Sequence, residues 1–336
     1  MQKTLFTLLL TALLLPLGAQ DPVFSQFYAS PLRLNPAFAG IGTAPRIVAN
    51  YRAQHTTYPS AFTTFAASYD QPIERTPSSV GLRLMSDQQL EGAYKNTEVA
   101  FVYSYDVRIN KETHARLGLA GGIFSTSLDF SRLSFGDVLD PATGNTGEAT
   151  AERLAALSKT SADFGAGILI SSKFFYGGWS FEHMNRPDEQ LSAFGDNLYA
   201  GRPMRITVTG GAQLKIKRYS NRRRPSYVTP NFLYVSQAGL RQLNTGAYFG
   251  YGPVAIGAWY RHAFQNADGL IGAISFRQDV LRIGISYDAV LSDLRNVPGG
   301  LGSTLEASVI IDMGNSKELQ RRRKADRYND CYGMFR

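Results

Sequence analysis

The sequence predicts an all-β protein, a transmembrane antiparallel β-barrel of about 14 strands. Three observations carry this prediction: a secretory signal at the start of the chain, period-2 alternation that recurs to residue 313, and Tyr and Phe near strand ends. The 12% aromatic content and 32 glycines suit amphipathic strands joined by tight turns. A soluble sandwich gives similar alternation, so the signal and the strand lengths of about 9 to 12 residues favour the barrel.

The first 19 residues are organised as a signal peptide, and they set the expected division of the chain. Lys3 is the charged start, residues 5–15 are the apolar run, and cleavage between Ala19 and Gln20 leaves Gln20 as the expected mature N-terminus. No later apolar run is long enough for a transmembrane helix. The expected organisation is a signal peptide (1–19), an N-terminal periplasmic or plug segment (20–43), an outer-membrane barrel (44–313) and a basic periplasmic C-terminal tail (314–336).

Strand-like alternation follows the N-terminal segment. Between Leu281 and Asp288 apolar residues occupy every second position, as they do from Val99 to Arg108. Alternate side chains of a strand face opposite sides of a sheet. The expected strands are 46–54, 61–70, 79–86, 96–108, 114–124, 161–171, 174–182, 204–217, 227–235, 240–249, 254–263, 269–277, 281–290 and 303–313.

The even strand number assigns the connections to the two ends of the barrel. Bacterial barrels have short periplasmic turns and longer outer loops. With both ends of the strand series in the periplasm, the two longest links, 125–160 and 183–203, fall on the outer side. This agreement supports the strand count because the strands follow from alternation alone and loop length is independent of it.

The sequence carries no motif of a known catalytic site. GxSxG, HExxH, the phosphate-binding GxxxxGK[ST] and an EF-hand loop are missing from it. Its single cysteine, Cys331, excludes an intramolecular disulfide and a cysteine-based zinc site. We therefore expect neither an enzyme nor a bound cofactor or metal. The four histidines, His55, His114, His183 and His262, are interpreted as interfacial or loop residues. Three of them, His55, His183 and His262, lie at or near outer strand ends and leave a shared site open.

The N-terminal segment carries a resemblance to a known family. Its sequence QDPVFSQFYASPLRLNPAFAG, from Gln20 to Gly40, packs aromatic and aliphatic residues between turn formers. It resembles the start of the PorP/SprF family of Bacteroidetes outer-membrane proteins, which belong to the type IX secretion and gliding system. Later segments resemble that family in its order to about Asp312: YRAQHTTYPSAFTTFAASYDQPI, with His55 where a Trp is common, then ADFGAGIL, FEHMNRP, LRIGISYDAVLSDL and GSTLEASVIID.

The resemblance implies a function for the chain. It implies a non-enzymatic accessory component of type IX secretion that supports export or surface anchoring of specific cargo proteins with a C-terminal sorting domain. The implied partners are outer-membrane lipid, such cargo, the translocon, and periplasmic motor or ring components. An alternative is a FadL-like outer-membrane channel for hydrophobic small molecules, because FadL-type transporters also carry an Asn-Pro-Ala near the N-terminus, as at residues 35–37.

Three groups of residues are candidates for the functional site. The aromatic residues of the N-terminal segment need an apolar host, so this segment either fills the lumen as a plug or covers the periplasmic mouth. The 125–160 loop offers apolar residues to cargo: Phe130, Leu133 and Phe135. The plug candidates are Phe24, Phe27, Tyr28, Asn35, Pro36 and Phe38.

The third group is basic and lies on the expected periplasmic side. The chain has a net charge of +8, and much of the positive charge is clustered in two short segments. Clustered charge suits docking of an acidic periplasmic partner, whereas the simpler interpretation is a positive stop beside a strand and a solvated tail. Nucleic acid is not an expected partner because the compartment lacks it. The docking candidates are Arg222, Arg223, Arg224, Arg321, Arg322 and Arg323.

Overall fold

The computed structural model describes residues 20–56, 62–133, 136–140, 144–146, 157–189, 191, 201–217, 226–264, 268–291, 302–315 and 334–335. Fourteen strands form one antiparallel sheet that closes where the last strand pairs with the first, with Arg46 opposite Asp312. The predicted fold class is thus confirmed, and each predicted strand overlaps an observed one. Closure pairs every edge strand, which is what lets a sheet span a membrane.

The strands are β1 (Arg46–Gln54), β2 (Phe62–Pro72), β3 (Ser78–Gln89), β4 (Tyr94–Arg108), β5 (His114–Leu128), β6 (Ser158–Ser171), β7 (Phe175–Glu182), β8 (Arg205–Ala212 and Leu214–Lys217), β9 (Ser226–Gln237), β10 (Leu240–Tyr251), β11 (Val254–Ala263), β12 (Gly269–Gln278), β13 (Leu281–Val290) and β14 (Thr304–Asp312). The two parts of β8 both pair with β9. A separate two-residue ladder joins Leu139–Asp140 to Gly144–Asn145.

The connections differ between the two ends of the barrel. One end, called here the long-loop end, carries the links 129–157 and 183–204 together with the β1–β2 and β13–β14 links. The opposite end, the short-turn end, has tight connections such as 252–253 and 279–280. The two longest links therefore lie at one end, as strand parity predicts.

The outer face of the barrel is apolar and the inner face is polar. Along β14, Leu305 and Val309 point outward and are 45% and 37% exposed, whereas Glu306 and Ser308 point inward. An outward apolar band is what lipid requires of a membrane barrel. Among the described residues, no helix has the length and hydrophobicity needed to cross a membrane.

Helical structure in the described residues is limited to short turns. Inside the barrel, a 3-10 turn (Phe27–Ala29), the helix α1 (Pro31–Leu34) and a second 3-10 turn (Pro36–Phe38) follow one another. Proline begins two of them, where its fixed φ suits a helix start. Further 3-10 turns span Leu90–Gly92, Phe130–Arg132, Gly136–Val138 and Met313–Asn315.

Candidate functional site in the barrel lumen

Residues 20–41 lie inside the barrel, and we call this segment the plug. Every residue from Phe24 to Ile41 is buried, and half of them form one core cluster with lumen-facing side chains of the strands. A segment with so many large apolar side chains gains free energy by leaving water, about 1.5–3 kcal/mol for each fully buried one. The barrel wall and the plug therefore share a single core.

The plug runs the whole length of the lumen. At the long-loop end, the Asp21 amide donates to the Gln237 side chain at 2.8 Å. At the short-turn end, the Gly40 amide donates to Asp70 at 2.7 Å. The chain thus passes from one mouth to the other before it enters β1, instead of lying across one mouth only.

The turn at Asn35 touches the barrel wall directly. Its side chain donates to the carbonyl oxygens of Ile168 (3.1 Å) and Trp179 (3.0 Å) and accepts from the Ala37 amide at 2.8 Å. The approach is close because two glycines line the wall here. A Cβ on Gly118 would lie 2.2 Å from the Ala37 nitrogen, and one on Gly167 would lie 2.1 Å from the Asn35 Oδ1, so neither position has room for a side chain.

One side of the plug is held by a buried network of charges. Arg33 pairs with Glu98 and lies within 3.3 Å of Asp21 and 3.6 Å of Glu182. On the wall, Arg83 pairs with the same two glutamates. Among the described residues the network balances five cationic side chains against five carboxylates: Arg33, Arg83, His183, Arg202 and Arg205 against Asp21, Glu98, Asp163, Glu182 and Glu189.

His183 connects the network to the start of the plug. Its Nε2 lies 2.8 Å from Asp21 and its Nδ1 lies 3.0 Å from Asp163. Burial opposes the charged imidazole, but the two carboxylates outweigh burial and raise the pKa of His183 to about 10. Burial likewise opposes ionisation of Asp21, yet His183, Arg202 and Arg33 hold its pKa well below the usual range. Both groups are therefore charged at neutral pH.

The same cluster has the spacing of a metal site, but its ligand atoms already have charged partners. Ligand atoms of Asp21, Glu182 and His183 lie within 4.8 Å of one another. Both His183 nitrogens are occupied by carboxylates, and the carboxylates are neutralised by arginines. A divalent cation would have to displace these positively charged side chains. We therefore interpret the cluster as an ion-pair network that holds the start of the plug in place.

Strand β14 holds the plug through one carboxylate. Glu306 accepts the backbone amides of Ser25 and Gln26, both at 2.8 Å, and pairs with Arg52 at 3.0 Å. The Ser25 hydroxyl donates to Asp288 at 3.0 Å. These bonds satisfy plug backbone groups that would otherwise be buried without partners.

The other side of the plug is held by aromatic packing. The Tyr28 ring stacks on Trp259 with centroids 5.4 Å apart and contacts Tyr248 at 5.2 Å. Phe27 meets Trp259 edge-on at 6.1 Å. The Trp259 indole donates to Asn231 at 2.7 Å, so its only polar group is satisfied.

A vestibule of about 240 Å³ lies at the long-loop end. Its lining includes Arg52, His55, Arg241 and Arg261 together with plug residues 21–23. The plug therefore forms part of the wall of this cavity.

The six predicted plug residues all lie buried in the lumen. Phe24 packs separately, with Ala66 and Met85. Pro36 begins the second 3-10 turn. Phe38 lies near the short-turn end, where its ring is 6.2 Å from Tyr176.

The other predicted site residues are described only in part. In the long loop, Phe130 begins a 3-10 turn and Leu133 is half-buried, while Phe135 lies outside the described residues. The six docking arginines of 222–224 and 321–323 also lie outside the described residues. The histidines of the long-loop end have separate partners: His55 contacts Gln54, and His262 contacts Asp268, apart from the pairs of His183.

Sequence reasoning missed the charged network. Its signal was present as charged residues within strands whose alternate positions are apolar, such as Arg83 between Leu82 and Leu84. Arg33, between Leu32 and Leu34, is likewise a charged residue among apolar ones, but it lies in the plug helix α1. A charge on the inward face of a strand needs water or a partner in the lumen, and the sequence does not show which of these is present.

Comparisons with known proteins agree with the predicted family. The family model described as "Type IX secretion system membrane protein PorP/SprF" matches residues 17–310, which is most of the chain. This family is not a known family of enzymes. A search of curated proteins found no match.

Solved barrels resemble the chain only broadly. The CymD monoaromatic hydrocarbon channel has a TM-score of 0.45 at 12% identity, over 88% of this chain and 94% of that one. The KdgM porin has a TM-score of 0.36 at 6% identity, over 79% of this chain and 98% of that one. BamA from Haemophilus ducreyi, lacking POTRA domains 1–3, has a TM-score of 0.39 at 8% identity, over 80% of this chain and 70% of that one. At these scores none of them bears on function, whereas the family model covers the plug and nearly all of the barrel. The chain therefore belongs to the PorP/SprF family of type IX secretion system membrane proteins.

Proposed function

We propose that this protein is a non-enzymatic accessory component of type IX secretion in the outer membrane. It supports export or surface anchoring of specific cargo proteins that carry a C-terminal sorting domain. Family membership supports association with components of that system. The cargo role is the finer part of the proposal and needs its own test.

The filled lumen is the observation that carries a binding role. The inward polar residues of β14, Glu306 and Ser308, are only 3% and 4% exposed, although they would face water in an open pore. A barrel whose lumen is filled by its own chain acts through its two ends. The plug role of Phe24, Phe27, Tyr28, Asn35, Pro36 and Phe38 is part of this proposal.

A FadL-like channel for hydrophobic molecules is the alternative. The vestibule favours it, but plug residues 21–23 form part of the wall of that cavity. Its lining includes the charged residues Arg52, Arg241 and Arg261, which are poor hosts for an apolar solute. We therefore place the binding role first.

The two ends have different proposed partners. The long-loop end faces outside and offers Phe130, Leu133 and Phe135 to cargo. The protein lies in the outer membrane after signal-peptide cleavage near Ala19–Gln20. Its short-turn end faces the periplasm. There, the arginines 222–224 and 321–323 dock translocon, motor or ring components.

Cysteine labelling in intact cells tests this orientation. The variant Gly144→Cys should react with a membrane-impermeant reagent, whereas Asn221→Cys should react only after the outer membrane is opened. Cys331 is replaced by Ser in both variants to remove the natural thiol. The reverse pattern would overturn the orientation.

Deletion of the gene tests the secretion role. The surface proteome should lose one or a few cargo proteins while bulk type IX secretion continues. Replacing the six docking arginines with Ser should leave the barrel folded and reduce recovery of periplasmic partners, most clearly at low salt, where charge attraction is least screened. An unaltered surface proteome would reject the cargo role, and unchanged partner recovery would reject the docking sites.

A further inference from the structure

The short-turn mouth of the barrel holds a second segment besides the plug. Met334 and Phe335 are each 0% exposed, although 18 residues (316–333) separate them from the last described turn after β14. The Phe335 ring lies 4.5 Å from Phe38 of the plug and 5.2 Å from Tyr176 of β7. The mouth therefore contains a pocket that buries this dipeptide.

Three strands donate hydrogen bonds to the dipeptide. Arg46 of β1 donates to the Phe335 carbonyl at 3.1 Å, and Arg282 of β13 donates to the Met334 carbonyl at 2.7 Å. Asn231 of β9 lies 3.4 Å from the Met334 sulfur. All three donors are buried. Charged donors make stronger hydrogen bonds than neutral ones, and bonds to backbone carbonyls hold a peptide whatever its side chains.

Among the described residues, those that contact the dipeptide in the pocket belong to the barrel or the plug. Strand pairing closes the barrel between β1 and β14 without any residue after Asp312. The pocket residues belong to β1, β7, β9, β13 and the plug. Residues 334–335 therefore act as a covalently attached ligand that binds a site formed by other parts of the chain.

We propose that the short-turn mouth is a peptide-binding site for a short segment with adjacent Met and Phe side chains. In this chain the segment is residues 334–335, which bind in cis. The aromatic pocket of Phe38 and Tyr176 selects the Phe side chain, and the arginines hold the backbone. The same peptide binds in trans when the chain's own segment is weakened or removed.

The tether predicts how the cis and trans ligands compete. Because residues 334–335 belong to the same chain as the mouth, their binding is intramolecular, and intramolecular ligands reach effective concentrations in the millimolar range. A free peptide at micromolar concentration cannot displace it. The unaltered chain should therefore show little binding of added peptide, while a chain with a weakened Phe335 contact should bind it.

Fluorescence anisotropy with a labelled peptide of residues 327–336 tests the proposal. The hosts are the purified full-length protein, the full-length Phe335→Ala variant, and a chain that ends at Asn315. The two altered hosts should bind the peptide saturably, at least about tenfold more tightly than the unaltered protein does. A peptide carrying Phe335→Ala should bind them at least about tenfold more weakly, as should a scrambled peptide of equal charge.

Folding of each host is checked by heat-modifiable gel mobility and the β-sheet signal in circular dichroism. Lack of saturable binding to either folded altered host overturns the proposal. Equal binding to all three hosts also overturns it, because the occupied mouth could not then be the site. Equal binding of the scrambled peptide would show charge attraction only and would overturn it as well. These outcomes do not depend on the secretion role, which is tested in cells.

Discussion

The two sides of the lumen hold the same plug by different forces. The charged side surrounds Asp21 and Arg33 with carboxylates and arginines from β3, β4, β7 and β8. The aromatic side surrounds Phe27 and Tyr28 with rings from β10 and β11. A buried ion pair is stable only when its two groups are correctly positioned, and removing one partner is strongly destabilising. The free energy of apolar packing instead varies gradually with the apolar area that is buried. We infer that the charged side sets the register of the plug and that the aromatic side supplies much of its binding free energy.

The largest expected effect comes from removing both sides together. Deletion of residues 22–38 should convert a closed barrel into one that conducts ions in planar bilayers. A 14-stranded barrel is wider than the 8-stranded barrels whose interiors side chains fill. A wide conductance in the unaltered protein would contradict a sealed lumen and favour the channel alternative.

Removing the central charge of the plug should have the next largest effect. Arg33→Met leaves Glu98 and Glu182 short of a cation, and we expect a loss of about 5 kcal/mol in plug binding. Trp259 fluorescence in a Trp179→Phe background reports plug release during denaturant titration, because Trp179 is the only other tryptophan. A second change, Glu98→Gln, should recover part of the loss by restoring charge balance. A loss below about 1 kcal/mol would show that water or other groups neutralise the glutamates.

On the aromatic side, Tyr28→Ala should cost about 3 kcal/mol in the same titration. The matched variant is Tyr28→Phe, since the Tyr28 hydroxyl has no hydrogen-bond partner among the described residues. We expect that variant to change stability by less than about 1 kcal/mol. A large effect of Tyr28→Phe would mean that this side also depends on a polar contact.

Measured per unit of pH, the smallest expected effect is a pH dependence confined to the charged side. His183 has a pKa near 10 in the folded state and 6.5 as its ordinary value. Its contribution is therefore complete below pH 6.5 and is lost as the pH rises towards 10. Plug stability should fall over this window by at most about 1.4 kcal/mol per pH unit.

A His183→Gln variant serves as the control for that slope. Its plug stability should be nearly flat between pH 7 and 9.5, while Tyr28→Ala should keep the slope of the unaltered protein. An equal slope in the His183→Gln variant would assign the titration to another group.

Much of the barrel could be predicted because its determinants are local. Alternation of the kind seen from Leu281 to Asp288 depends only on the two faces of one strand. Apolar residues such as Leu305 and Val309 had to face lipid, so strand type, number and order followed from the printed residues. The glycines at 118 and 167 were visible too, but their reason, the approach of Asn35 and Ala37, was not.

The sequence by itself determined the barrel class, the strand count, the family and the need of the N-terminal aromatics for an apolar host. Only the tertiary structure decided that the plug runs from mouth to mouth, that Arg33 meets Glu98, and that Phe335 returns to Phe38. The reason is physical. Alternation and hydrophobicity are properties of residues that are close in sequence. An ion pair or a ring contact across a lumen instead joins positions that are tens to hundreds of residues apart. Such a pair exists only once the closed sheet has set the distance between them.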